Sequence, residues 1–250
     1  MKGLIYVCER ELKIWVRNPW LMAVILIAPA FQLGLFSVGL SGLVSGVPIG
    51  GVKVHYFYFF GLGMASALPV LISLAESSSV FVDRSSGFLE EMLASPLRMW
   101  EITFGKAIAI SFKSFLPSLI IALIVATLSK EACSLALLPL AALILLITSL
   151  VTSFASVSLV LLLRSEGGYN LLFNMLQPPL FYLSSAFYPL DALPPPLRLM
   201  ASVNPVTAAS EAVRHLLFVG QAPLGYLATL SLYLSLTLIL TALTSKRLKP

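Results

Sequence analysis

The sequence has little charge for its length. Charged residues make up 11% of its 250 residues, whereas hydrophobic residues make up 58%. The mean hydropathy of +0.96 is far above that of soluble domains, which excludes a soluble globular protein. A membrane-spanning helix needs about 20 apolar residues, so the chain has room for roughly six spans joined by short loops. We therefore treat residues 1–250 as a single membrane domain.

Residue types that support catalysis are also scarce. The sequence has 2 histidines, His55 and His215, and 2 cysteines, Cys8 and Cys133, in no spacing typical of a metal site or a nucleophilic triad. No G-x-x-x-x-G-K-[ST] motif occurs, because the one Gly-Lys pair is followed by alanine. We therefore expect this chain to be no enzyme and to hold no metal and no cofactor.

The apolar runs predict an all-α fold with six membrane spans. We place the spans at 21–44, 55–82, 104–128, 135–163, 169–188 and 223–244. Residues 1–19 mix apolar and charged side chains, which predicts an amphipathic helix in the membrane interface with Arg10, Lys13 and Arg17 toward the head groups.

Residues 189–221, which begin at Pro189, are apolar but interrupted by prolines. We predict two re-entrant helices here, near 197–203 and 206–219, which dip into the outer leaflet and return. Asn204 would cap the second helix and Pro205 would be its first residue. Glu211 and Arg214 would form a local ion pair on that helix, of modest energy.

The basic residues indicate the orientation of the chain. Of its 16 lysines and arginines, only Lys53, Lys130, Arg198 and Arg214 fall outside the expected inner segments. The other twelve are Lys2, Arg10, Lys13, Arg17, Arg84, Arg98, Lys106, Lys113, Arg164, Lys246, Arg247 and Lys249. Because cytoplasmic segments carry an excess of basic residues, we expect a multi-pass protein of the cell (plasma or inner) membrane with both termini in the cytoplasm.

Residues 83–103 are the most charge-dense stretch of the chain, and we call them the charged hairpin. Apolar residues recur at helical spacing within it, while Glu90 and Glu91 lie off that stripe, so we predict a short amphipathic helix in water. Gly87 would cap this helix, and Ser95-Pro96 would cap the next one. The stripe consists of Phe88, Leu89, Met92 and Leu93. Because this stripe would be exposed in the isolated chain, it predicts a partner protein that covers it.

Two ionisable residues fall inside predicted spans. Glu76 lies seven residues before Asp83, and Lys113 lies nine after Phe104, so both sit roughly 10–14 Å from the same boundary. Such residues normally pair with each other or face a cavity. We favour a structural pair, with a substrate or proton site as the alternative.

Two stretches together resemble the type 2 family of ATP-binding-cassette (ABC) transporter permeases, the membrane subunits of drug and polysaccharide exporters. The first runs from Asp83 to Pro96, DRSSGFLEEMLASP, followed by Gly105-Lys106. The second runs from Pro179 to Pro189, PLFYLSSAFYP, followed by Leu193-Pro194, Asn204-Pro205 and EAVR at 211–214.

The resemblance implies specific roles for these stretches. The first would be the coupling helix that contacts the ATPase subunit, through Arg84, Gly87, Phe88, Leu89, Glu90, Glu91, Met92 and Pro96. The second would be the outer re-entrant hairpin before the last span. The chain would form a homodimer, or a heterodimer with a sister permease, in the lipid bilayer. It would carry two cassette-type ATPase subunits, which bind ATP and Mg.

These expectations lead to one function and two alternatives. We interpret the chain as the permease subunit of an ABC exporter, with no nucleic-acid partner. A self-sufficient channel or secondary transporter would be expected to show inverted repeats and broken midplane helices. A membrane-embedded enzyme would need a polar catalytic set inside the membrane, and the sequence displays neither feature.

Overall fold

The computed structural model describes residues 2–41, 46–95, 97–129, 133–163 and 165–246. The predicted all-α class is confirmed, with one addition: an antiparallel ribbon of two short strands, β1 (Val47–Ile49) and β2 (Val52–Val54). The helices are α1 (Lys2–Val16), α2 (Pro19–Ser41), α3 (Tyr56–Ser77), α4 (Ser79–Ser85), α5 (Phe88–Ala94), α6 (Met99–Leu128), α7 (Leu138–Leu162), α8 (Glu166–Tyr182), α9 (Pro195–Ser202), α10 (Pro205–Val219) and α11 (Leu224–Ser245).

Among the described residues, four helical stretches are long and apolar enough to cross a membrane. They are Tyr56–Ser85 (30 residues), Met99–Leu128 (30), Leu135–Leu162 (28) and Leu224–Ser245 (22). Helix α2 has 23 residues, of which Ala23–Phe36 form the apolar stretch whose side chains the structure describes, and α8 has 17 residues. Within the described residues, four of the six predicted spans therefore meet the criteria of length and composition.

Helix α3 lies at the centre of the bundle. In the most apolar part of the stretch Tyr56–Ser85, 83% of the residues are buried. Helix α3 packs against α2, α6, α7, α8 and α10. Glycine, alanine and serine at positions 61, 63, 65, 66 and 67 let the neighbouring helices approach closely. Because α3 is enclosed on all sides, it presents no broad face to lipid or to a partner.

Hydroxyl groups join α3 to α6 and α7 inside the bundle. Ser73 Oγ lies 2.8 Å from Ser153 Oγ and 3.1 Å from Thr152 Oγ1, and Ser77 Oγ donates to Ser156 Oγ at 2.6 Å. Serine and threonine commonly provide such interhelical hydrogen bonds in membrane proteins, in addition to the close packing of small residues.

The two ends of the bundle differ in character. The charged-hairpin end holds α1, α4 and α5. The C-terminal end of α11 lies there as well, because Lys246 shares a cavity with Met99 and Trp100 at the start of α6. The ribbon end holds the β1–β2 ribbon, the turn at 183–189, and α9 and α10. Both ends of the described chain thus lie at the charged-hairpin end.

Several helix boundaries differ from the prediction. The predicted span 55–82 is interrupted at Ser78, where α3 ends and α4 begins. Helix α6 begins at Met99 instead of 104, so the charged hairpin is shorter than predicted. Its cap is Arg98 and not Ser95-Pro96, because the Glu101 carboxylate accepts a hydrogen bond from the Arg98 N–H at 3.1 Å.

The re-entrant region contains the two predicted helices, α9 and α10. The cap of α10 is as predicted: Asn204 Oδ1 accepts from the Val206 N–H at 2.9 Å, Pro205 is the first residue, and Gly220 ends the helix with φ of +83°. Helix α10 is buried against α3, α7 and α11, and the dip of this region into the outer leaflet stays a prediction.

Candidate functional site: the charged hairpin and the ion pairs beneath it

The charged hairpin contains the end of α4, a tight turn and α5. Gly87 adopts φ of +76°, a left-handed conformation that glycine tolerates best, and α5 begins directly after it. Three charged side chains point outward from this turn and helix, namely Arg84, Glu90 and Glu91, all of which are exposed. The two glutamates lie in the first turn of α5, where the helix dipole favours negative charge.

The apolar stripe of α5 is covered within the chain. Leu89 and Met92 retain only 4% and 6% of their exposure, and they pack with Val7 of α1 and Ile102 of α6. The Arg10 guanidinium lies 3.7 Å from the ring centroid of the half-buried Phe88. The prediction that this stripe is exposed is therefore wrong for Leu89 and Met92, because α1 covers them. The Leu93 side chain and Pro96 lie outside the described part of the structure.

Helix α1 is docked on the bundle through one face. Gly3, Val7, Glu11 and Trp15, spaced four residues apart, are all buried, and α6 is the main neighbour of the helix. The helices approach closely at Gly105, where an added Cβ would lie 2.9 Å from the Leu4 carbonyl oxygen. Lys13 and Arg17 are exposed on the other side, and the location of α1 in the membrane interface stays a prediction.

Six charged side chains beneath the hairpin form a continuous chain of contacts, which we call the ion-pair cluster. It consists of Arg10 and Glu11 of α1, Glu76 of α3, Asp83 of α4, and Lys106 and Lys113 of α6. Arg10 donates to both oxygens of Asp83, at 3.2 and 3.4 Å, and Asp83 also pairs with Lys106 Nζ.

Glu11 occupies the middle of the ion-pair cluster. Its Oε1 lies 3.0 Å from Lys106 Nζ, and its Oε2 lies 3.3 Å from Lys113 Nζ. Lys113 continues the chain to Glu76 Oε2 at 2.9 Å. The two lysines lie seven residues apart, which places them on the same face of α6. The structure thus brings Glu76 and Lys113 together, as the sequence analysis favoured, and adds a second carboxylate to Lys113.

The ion-pair cluster is buried and neutral in sum. Side-chain exposure is 3% for Lys106, 4% for Lys113, 5% for Glu11, 9% for Asp83 and 14% for Glu76. Three carboxylates face three basic groups, so every buried charge has a partner, as burial requires. Burial acts to raise the pKa of Glu11, but Lys106 and Lys113 outweigh it and hold this pKa below its ordinary value.

A second polar centre lies at the ribbon end, around Arg214 of α10. This side chain is fully buried, and all five of its N–H groups are satisfied: by the carbonyls of Phe59, Ser185 and Ala186 and by Glu211 Oε1 at 3.1 Å. It thereby ties α3 and the turn at 183–189 to α10. The predicted Arg214–Glu211 pair is present, but its setting is a buried network and not a surface.

Sequence reasoning missed Glu11, Asp83 and Lys106 as members of the ion-pair cluster, and it placed Arg10 toward the head groups, whereas Arg10 pairs with Glu11 and Asp83. One signal was available: Glu11 falls on the same four-residue spacing as Val7 and Trp15, and a glutamate on an otherwise apolar stripe needs a buried partner. The identity of that partner depends on which helix covers the stripe, which the pattern does not give.

Comparison with known proteins identifies the family. The sequence profile described as ABC-2 type transporter matches residues 3–218, which include the charged hairpin and nearly all of α1 and α10. The chain belongs to the ABC-2 type transporter family. The resemblance drawn from the two motifs is thereby confirmed, and the family is one of transport permeases in membranes.

Two curated relatives are consistent with this assignment. Both are proteins provisionally named transport permease ycf38, one from Cyanophora paradoxa and one from Porphyra purpurea. The first is 29% identical over 67% of this ABC-2 type chain and 58% of its own length. The second is 30% identical over 82% of this chain and 70% of its own length. The chain thus spans little more than half of the Cyanophora protein.

Proposed function

We propose that this ABC-2 type permease is the membrane subunit of an exporter, driven by ATP hydrolysis in a separate pair of cassette-type ATPase subunits. The observation that carries the proposal is the ion-pair cluster, which connects Asp83 of the charged hairpin to α1, α3 and α6. Family membership supplies the transport context, and the described residues offer no cluster of metal ligands.

In this proposal the permease works as a dimer in the cell membrane, with the charged-hairpin end in the cytoplasm. One observation supports this orientation: most of the exposed basic residues among the described ones lie at that end. Helices α2 and α8 would provide two further crossings beside the four long ones, giving six. At about 1.5 Å per residue, α8 would span roughly 26 Å, slightly less than the hydrocarbon core.

The ATPase would contact the exposed polar side of α5 and the preceding turn, through Arg84, Glu90 and Glu91. Their charges would fix the register of docking against oppositely charged groups. Leu89 and Met92 would not enter the ATPase; they would attach α5 to α1. This arrangement replaces the apolar anchor expected from the sequence with a helix that is firmly packed on its own permease.

The ion-pair cluster would transmit movement of the hairpin. Asp83 lies on α4, directly before the turn, and contacts both Arg10 and Lys106. A shift of α4 by even one or two ångströms would lengthen these contacts, so α1 and α6 must follow or leave charges unpaired inside the protein. Because an unpaired buried charge is strongly unfavourable, the helices should move together.

Co-purification tests the docking surface. The charge-reversing double variant Glu90→Lys/Glu91→Lys should lose a co-expressed cassette-type ATPase while it still inserts and folds, because both side chains point outward. The variant Glu9→Lys/Glu166→Lys is the charge-matched control, since both glutamates are also exposed at the charged-hairpin end. Retention of the ATPase by both variants would refute the proposed surface, and failure of the unaltered permease to bind any such ATPase would refute the proposed function.

A further inference from the structure

The break between α3 and α4 leaves a backbone carbonyl that is satisfied from another helix. In an uninterrupted α-helix, the Leu74 carbonyl would accept a hydrogen bond from the Ser78 N–H. Here the Ser78 N–H donates to the Ala75 carbonyl at 3.3 Å, and Ser78 Oγ donates to the same carbonyl at 2.7 Å. The hydroxyl of Tyr169, in the first turn of α8, donates to the Leu74 carbonyl and so replaces the missing helical donor.

The Tyr169 side chain contacts both sides of this break. Its hydroxyl binds α3, while its ring packs against Phe81 of α4, with the ring centroids 5.8 Å apart. Val80 of α4 and Val160 of α7 belong to the same apolar cluster. Tyr169 is only 1% exposed, so water does not compete for its hydroxyl. One side chain of α8 therefore connects α3 and α4 across the point where they separate.

Helix α4 links the break to the charged hairpin. It has 7 residues, and Asp83 near its end pairs with Arg10 and Lys106. The same short helix is thus attached to α1 and α6 through ion pairs, and to α8 through Phe81. Because the ion-pair cluster is built from α1, α3, α4 and α6, Tyr169 connects the hairpin to a helix that the cluster does not include.

Hydrogen bonding at the break is incomplete. Ser79 Oγ is buried and has no hydrogen-bond partner among the described residues. Such unsatisfied buried groups are rare in folded proteins and mark places where the packing is constrained by something other than stability. Helices bend most readily where the ladder of backbone hydrogen bonds is interrupted. We therefore treat Ser78 and Ser79 as the point where the stretch Tyr56–Ser85 bends.

Helix α8 is held mainly near its two ends. Tyr169 and Phe181 are the two buried residues of this helix, and α3 is its main neighbour. Between them, a cavity of about 210 Å³ separates Leu176 and Leu180 from α7 and α11. A helix that is fixed near its ends and has a cavity behind its middle tilts when one of these two points moves.

We propose that Tyr169 is a positioning residue that couples the charged hairpin to α8. When α4 bends at Ser78, the contact with Phe81 displaces the Tyr169 ring, and the first turn of α8 moves with it. The hydroxyl keeps this turn attached to the end of α3. The inference rests on the proposed function, because the ATPase would supply the movement of the hairpin. The coupling itself belongs to the permease alone and can be measured without an ATPase.

The distance between α8 and α11 reports the coupling. In a Cys8→Ser/Cys133→Ser background, Asn170→Cys and Ser231→Cys would carry spin labels, since both positions are exposed. The labelled protein is placed in lipid nanodiscs with an excess of unlabelled permease, so that one labelled copy is measured at a time. The distance distribution is then recorded by pulsed electron paramagnetic resonance.

Asp83→Asn releases α4 in the absence of an ATPase, because it removes the charge that holds this helix. With Tyr169 present, we expect it to shift the label distance, or to add a second population, by at least about 2 Å. Tyr169→Phe and, separately, Phe81→Leu should reduce this shift by at least half, because each weakens one of the two contacts. Tyr58→Phe is the matched control: this hydroxyl donates to the Leu128 carbonyl at 2.8 Å, far from the break. It should leave the shift unchanged.

Other results would overturn the inference. No shift on Asp83→Asn in the protein with Tyr169 would show that the hairpin does not move α8. A full shift in both Tyr169→Phe and Phe81→Leu, even with a lower thermal unfolding midpoint, would mean that Tyr169 only stabilises the fold. An equal reduction by Tyr58→Phe would indicate general loosening of the bundle. Failure of the permease to bind any cassette-type ATPase would refute the proposed function, while the result for Tyr169 would stand.

Discussion

Lys113 bridges two buried carboxylates, whereas Glu76 contacts Lys113 alone among the described residues. Because Lys113 has two partners and Glu76 has one, removing Lys113 should cost more stability than removing the Glu76 carboxylate. Lys113→Met should lower the thermal unfolding midpoint in detergent by roughly 10 °C, because breaking a buried pair costs about 3–5 kcal/mol and each kcal/mol corresponds to about 2–4 °C. Glu76→Gln should cost less, since Lys113 keeps Glu11.

The double variant completes this test. Glu76→Gln with Lys113→Met should lower the midpoint by less than the sum of the two single effects, because Glu76→Gln removes the carboxylate that Lys113→Met leaves unpaired. Strictly additive effects would show that the two residues act independently. Equal effects of the single variants would contradict the central position of Lys113.

Glu11 predicts a dependence of stability on acidity. Its pKa is lower in the folded protein than in the unfolded chain, so its contribution is complete above about pH 4.3 and is lost as pH falls through the folded-state pKa. Thermal unfolding measured from pH 7 to pH 3 should show a smaller acid-induced loss in Glu11→Gln than in the unaltered protein. Glu9→Gln, whose carboxylate is 50% exposed, should keep the original profile. If Glu11→Gln lost as much stability in acid as the unaltered protein does, the charged role of Glu11 would be contradicted.

At the scale of helices, α3 contains a proline, and the neighbouring helix α6 supplies the hydrogen bond that this proline cannot donate. Pro69 has no N–H, so the Ala65 carbonyl lacks its helical donor, and Ser118 Oγ of α6 donates to it at 2.5 Å. Ser118→Ala should therefore cost about 1–2 kcal/mol. In a Pro69→Ala background, where the helix can satisfy this carbonyl itself, the same change should cost far less.

A matched serine provides the control. Ser111 is also buried on α6, but its Oγ donates to Ile108 of its own helix at 2.7 Å. Ser111→Ala should have the same effect with or without Pro69. The measurement is the thermal unfolding midpoint of each variant. An equal effect of Ser118→Ala with and without Pro69 would contradict the proposal that Ser118 compensates for this proline.

The helices also show how far sequence reasoning extends. Periodicity identified the stripe of α5, and Asn204-Pro205 identified the cap of α10, because both features depend on residues close in sequence. Periodicity could not show that α1 covers Leu89 and Met92, since which helix covers a stripe depends on tertiary packing. The start of α6 at Met99 was missed because arginine is not one of the residues that commonly cap a helix, although Glu101 at the third helical position is the usual partner of a cap.

At the scale of the whole molecule, the chain should have one defined orientation in the membrane. The native thiols are poor reporters, because both are half-buried and burial raises the pKa values of Cys8 and Cys133. In a Cys8→Ser/Cys133→Ser background, Ser202→Cys at the ribbon end should react with an impermeant maleimide in intact cells. Ser85→Cys at the charged-hairpin end should react only after permeabilisation. The reverse pattern would invert the proposed topology.

Composition was sufficient to predict a membrane protein, and both described chain ends lie at one end of the bundle, as an even number of spans predicts. However, the pattern of basic residues that indicated the orientation also counted basic residues that do not lie on the surface. Lys106, Lys113 and Arg214 are all buried in polar networks and do not face head groups. A lysine that contacts lipid and a lysine that pairs inside the bundle look the same in the sequence, because the partner carboxylates come from distant helices.

Site-specific cross-linking tests the central claim most directly, namely that the charged hairpin receives a separate ATPase. A photoreactive residue in place of Glu91 should cross-link to a co-purifying cassette-type ATPase, because this side chain points outward beside the turn. The same residue in place of Leu199, which is 70% exposed at the ribbon end, should not. Cross-linking from position 199, or none from position 91 while the ATPase still co-purifies, would contradict the account.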